Sequence, residues 1–138
     1  MSIFLYAGRV EAKNLAKKAS TAFAANSFVS QESGTGFIEP ATSSSAALVG
    51  VMQEVVASTD DDYADNSTKL VILPLDRSTL FRCTTAADIA TTDVGEYHDL
   101  TDAVTVNPSA SSTDVVALRA FLAAREGVYS IQKPYLEA

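Results

Sequence analysis

The residues in this chain that could do chemistry are few. His98 stands beside Asp99 in "GEYHDL", and a carboxylate next to an imidazole is the pairing that orients a general base. Adjacent residues on a strand point to opposite faces, so Asp99 is not expected to support His98, which reads as a surface or rim residue. Cys83 is the only cysteine and lies fifteen positions from His98, with nothing to mark it as an activated thiol. No Gly-x-Ser-x-Gly elbow accompanies either residue, and Cys83 reads as a small buried hydrophobe. A single cysteine makes neither an intrachain disulfide nor a cysteine-based zinc site. The acidic run Asp60, Asp61, Asp62 and Asp65 lacks the alternating spacing, following glycine and distal glutamate of a calcium loop, so a solvated loop is expected. "SGTG" at 33–36 is too short to cradle a phosphate and has no lysine, which leaves a turn. The expectation is a protein with no catalytic residues, no metal ligands and no cofactor, and not an enzyme.

Charge is distributed unevenly. The 138 residues hold 10 basic and 17 acidic side chains, for a net charge of −7. Yet Arg9, Lys13, Lys17 and Lys18 face only Glu11 within residues 9–18. An acidic body repels phosphate backbones and anionic lipid, because binding there requires lysine and arginine to release counterions. The basic stretch, with Tyr6 as its one nearby aromatic, is weak beside real nucleic-acid-binding tails. Neither nucleic acid nor membrane is expected as a partner. No run approaches the roughly 20 apolar residues of a membrane span, and "IFLYAG" has no positive region before it, unlike a signal peptide.

The elements that must position these residues are short. At 47% hydrophobic and 20% charged, the composition supplies a core, and the length suits one domain. Residues 1–20 read as an N-terminal docking arm, with the apolar tip Ile3, Phe4, Leu5 and Tyr6 followed by the cations. Two helical turns over 11–19, either unstable alone or packed on the domain, are the alternative. Residues 21–138 read as a β domain of short apolar runs broken by turn signals. "AFAANSFVSQ", "FIEP", "LVILPLD", "STLFRCTT" and "AVTVN" are expected strands, with Pro74 implying an edge or a bulge. The run Leu48, Val49, Val51, Met52, Val55 and Val56 suits a buried strand or a helix, and its β-branched residues and Gly50 tilt it to strand. "AADIATTDVG" suggests a turn or short helix. Residues 115–125 have helix-forming composition with Asp114 as a possible N-cap, but "REG" followed by "VYSI" favours a hairpin of strands near 115–122 and 128–132. The fold class is mainly β: a single antiparallel barrel or sandwich with short helical turns and an N-terminal arm.

The order "AFAANSFVS…GTGFIEPATSSSAALVGVMQEV" and then "LVILPLDRSTLFRC" resembles small capsid decoration, or cement, proteins of tailed bacteriophages. The element Thr79-Leu80-Phe81-Arg82, the stretch "TTDVGEYHDLTDAVTVN" and "GVYSI" extend the likeness over roughly residues 22–132. The resemblance implies a structural role on the virion exterior after synthesis in the host cytoplasm. Its partner would be the major capsid protein, bound from outside by a homo-oligomer, with a trimer favoured. Ile3, Phe4, Leu5, Tyr6, Arg9, Lys13, Lys17 and Lys18 are the expected contacts, the cations meeting carboxylates and the tip pairing with a sheet edge or filling a groove. Two other readings remain: a different virion part such as a fibre base, head–tail adaptor or tail component, and a carbohydrate- or small-ligand-binding module. The latter needs an aromatic platform, for which Tyr63, Tyr97, Tyr129 and Tyr135 are scattered candidates.

Overall fold

The computed structural model describes residues 2–132. Eleven strands run β1 Phe4–Ala7, β2 Val10–Ala16, β3 Ser27–Gln31, β4 Ile38–Pro40, β5 Gly50–Met52, β6 Thr68–Pro74, β7 Leu80–Thr85, β8 Tyr97–Asp102, β9 Thr105–Asn107, β10 Val116–Ala123 and β11 Glu126–Ile131. The protein is mainly β, as expected, with one 3-10 turn at Thr91–Asp93.

Five strands form a barrel in the order β7-β11-β10-β8-β9, closed where β9 returns to β7. The closing pair is parallel, matching Thr84 with Thr105 and Thr85 with Val106. β7 presents its first half on that same edge to β1, with Phe4 opposite Arg82 and Leu5 opposite Phe81. The other sheet is open, in the order β2-β6-β5-β3-β4. Phe28 and Val51 from this sheet join Phe81, Leu100, Leu118 and Tyr129 of the barrel in one buried cluster. On the sheet's opposite face, Phe23, Val29, Ile38, Met52 and Val71 form a second cluster against Tyr63. β5 is therefore buried on both faces, which is why its sequence is a continuous apolar run and does not alternate. Gly50 is required there: a Cβ would lie 2.1 Å from the Ile72 carbonyl oxygen.

Residues 115–131 settle as a hairpin. Val116 lies opposite Ile131 and Phe121 opposite Gly127, with two register shifts along β10. Helix-forming alanines and leucines yield here because Val115, Val116 and Leu118 are each buried in the barrel, a demand that overrides intrinsic propensity. Asp114 caps no helix. It sits at φ 54°, a left-handed geometry that aspartate tolerates, as the chain turns into β10.

The reading of residues 1–20 as a separate arm needs correction. β1 is paired to β7, and β2 runs the full length of β6 from Val10 opposite Pro74 to Ala16 opposite Thr68. No helix forms over 11–19. Backbone groups in a short lone segment are better satisfied by a sheet edge than by two unstable helical turns. Gly8 joins the two sheets at φ 94°, with the Thr79 backbone so close that a Cβ would meet its Cα at 2.6 Å. Thr79 Oγ1 then donates to the Arg9 carbonyl at 2.5 Å, fastening the crossing. Pro74, expected at an edge or bulge, is instead the last residue of the internal strand β6.

Candidate docking surface

The eight residues expected to contact a partner separate into two groups. Ile3 is fully buried among the barrel core residues, and its N–H donates to the Asn26 carbonyl at 2.7 Å. Lys17 is also fully buried. Its ammonium donates to the carbonyls of Asp65 at 2.5 Å and Tyr63 at 3.2 Å, and stands 3.8 Å from Asp65 Oδ1. The protein's own cation thus anchors the acidic loop at 57–67. Lys18 is half-buried and pairs with Glu32 at 2.8 Å and Glu39 at 3.3 Å. The Glu32 hydrogen bond, followed by that of Glu39, holds the Lys18 ammonium above its ordinary pKa. Ile3, Lys17 and Lys18 are therefore structural, and two of the four cations of the basic stretch pair with carboxylates of their own subunit.

Phe4, Leu5 and Tyr6 remain, at 51%, 43% and 53% exposure, beside the exposed Arg9 and Lys13. Successive residues of a strand point to opposite faces, so exposure of all four residues of β1 means that neither face is covered. Among the described residues its far edge is unpaired as well. The open sheet manages its edges differently. β2 alternates Glu11 and Lys13 into solvent, and β4 is three residues long and ends in Pro40. Charge, brevity and proline are the usual means of discouraging edge pairing, and "FLYA", though only four residues long, carries neither charge nor proline. On the barrel side, Arg82 opposite Phe4 is ion-paired with Glu126.

The other sequence candidates take structural positions. Cys83 is buried, and desolvation pushes its thiol far above the ordinary range, so it is a core hydrophobe. His98, expected at a surface or rim, is 1% exposed. It projects into the barrel, with Nδ1 2.9 Å from the Tyr129 hydroxyl and Nε2 3.2 Å from Glu96 Oε1. Alternation explains the correction: Leu100, two residues on along the same face, is also buried. Asp99 does point away from His98. Its carboxylate accepts from Ser112 N, Ser112 Oγ, Thr113 N and Asp114 N, all within 2.8–2.9 Å. Burial raises the Asp99 pKa, but these four donors outweigh it and hold the carboxyl well below the usual range. "SGTG" forms a turn, with Gly34 and Gly36 at positive φ. Among the described residues, no three histidine, cysteine or acidic side chains converge on a metal-sized site. No helix of the described residues is long and apolar enough to cross a membrane. Tyr129 is buried and Tyr97 half-exposed, whereas Tyr135 lies outside the described residues.

No protein-family model matches this sequence, and a search of curated proteins finds no match either.

Proposed function

We propose that this chain is a structural protein of a viral shell, a decoration protein that docks on the outer face of an icosahedral capsid and stabilises it. The observation that carries the reading is β1, a strand with apolar side chains on both faces and an unprotected edge. Such a strand accepts an extended segment by backbone pairing, while the cavity beside Phe4, lined also by Ser2, Arg82 and Glu126, selects among its side chains. Arg9 and Lys13, exposed next along the chain, meet carboxylates of the shell protein and set the docking register. Four strand residues make a small contact, well short of the roughly 1,000 Å² that a stable pairwise interface needs. Binding therefore draws on many copies, grouped as homo-oligomers with a trimer favoured, whose linked sites multiply weak single contacts.

Electron microscopy of particles from the virus encoding this chain tests the proposal. Decoration gives density at many lattice points of the outer surface, whereas density at a single vertex would make the chain a head–tail adaptor. Shells lacking the protein should be filled by the native chain and left largely bare by Phe4→Ser/Tyr6→Ser. Equal occupancy by both would remove β1 from the docking surface.

A further inference from the structure

A concave groove of about 420 Å³ lies on the barrel between the start of β8 and the loop after β9. Glu96, Tyr97, His98, Pro108, Ser109 and Ser111 line it. Its volume falls within the roughly 300–1,000 Å³ of small-molecule sites. Tyr97 is 51% exposed, an uncovered aromatic ring beside the polar side chains of Glu96, Ser109 and Ser111.

The carboxylate here is held from behind. His98 bridges the two groups, its Nδ1 2.9 Å from the Tyr129 hydroxyl and its Nε2 3.2 Å from Glu96 Oε1. Two fully buried polar side chains thus fix the direction of one half-exposed carboxylate, whose Oε2 has no hydrogen-bond partner among the described residues. Asp99 fixes the opposite wall, with its N–H on the Ala110 carbonyl and its carboxylate on residues 112–114. Both walls are preorganised, which lowers the ordering cost of binding.

The donor set narrows the ligand. No lysine or arginine lines the groove, so an anion would meet only Glu96 and be repelled. One carboxylate and an imidazole already bonded to each other do not make a metal site. Two serine hydroxyls and a carboxylate oppose a purely apolar ligand. A molecule with one apolar face and several hydroxyls satisfies every group. We propose that the groove binds a neutral hexose, free or as the end of a glycan. The C–H face of the ring lies on Tyr97, two adjacent hydroxyls donate to Glu96, and Ser109 and Ser111 complete the contacts.

NMR titration of the isotope-labelled full chain tests this, using methyl glycosides of glucose, galactose, mannose and N-acetylglucosamine to about 50 mM. The expected result is saturable shifts confined to residues 95–98 and 108–111 with at least one sugar, at a millimolar dissociation constant. Glu96→Gln and Tyr97→Ala should each weaken binding by about tenfold without altering the spectrum elsewhere. The glutamine variant keeps the test intact if the alanine variant folds poorly. Glycan-array binding by the unmodified chain then separates a glycan end from a free sugar. No response to any of the four sugars, a response that survives both substitutions, or the same residues responding instead to argininamide would overturn the assignment.

Discussion

Replacing Asp99 with asparagine should expose how much of this barrel depends on one carboxylate. Asp99 is 3% exposed, and its two oxygens share four donors: Oδ1 takes Thr113 N and Asp114 N, and Oδ2 takes Ser112 N and Ser112 Oγ. Asparagine keeps one acceptor, best turned toward Thr113 and Asp114. Its amide group then faces Ser112, whose hydroxyl can rotate to accept but whose N–H cannot. One buried donor is left unsatisfied and two charge-assisted bonds become neutral, which together cost about 2–4 kcal/mol. The sign of the pH dependence follows from the folded carboxyl being held below its unfolded value near 3.9. Its stabilisation is complete above that value and is lost as pH falls through and below it, at up to about 1.4 kcal/mol per unit. The gap between wild type and Asp99→Asn should therefore shrink by up to about 2 kcal/mol between pH 7 and pH 2.5. Urea unfolding of both proteins at the two pH values measures it. A gap under about 0.5 kcal/mol at pH 7, or one unchanged in acid, would refute the reasoning.

Other substitutions probe the remaining anchors. Lys17→Met should cost about 2–3 kcal/mol by stranding the Tyr63 and Asp65 carbonyls, and limited proteolysis should then cut within residues 57–67. Gly50→Ala should cost about 3 kcal/mol or abolish soluble expression, because its Cβ would collide with the Ile72 carbonyl of an internal strand; thermal melts report it. Cys83, at 1% exposure, should react with a thiol reagent no faster than the protein unfolds, so fast labelling under native conditions would contradict its place in the barrel.

Much of the β architecture was legible because the chain's turn signals are local. Gly34 and Gly36, the "REG" turn and the apolar runs placed most strands close to where they form. What local pattern could not carry was pairing. "VEAKNLA" has the residues of a helix, and only β6, more than fifty positions away, makes it a strand. The two roles within the N-terminal stretch were hidden for the same reason. Lys17 and Lys13 are indistinguishable as letters, and one is buried solely because the acidic loop returns to it. The neighbours of His98 in sequence show no partner for it, because the one it has, Tyr129, lies 31 positions further along the chain. The Glu96–Tyr97 groove left a faint trace: an exposed aromatic between a carboxylate and a histidine, facing a Pro-Ser-Ala-Ser segment. Asp99 left none, since its four donors lie in a Ser-Ser-Thr-Asp loop that reads as solvent-facing.

The central position of β7 has a kinetic consequence. Its neighbours are the first strand of the chain, the last strand described and, across the parallel closure, β9. Almost none of its pairings can form early, since β11 must be made before its longest ladder can zip. Closing loops of that length before any contact compensates for them makes nucleation slow, and puts this protein among the late, cooperative folders rather than those that assemble as they emerge. Until β7 itself is made, "FLYA" has no strand beside it, and the ordinary hazard of the newly made chain is premature association through these four residues.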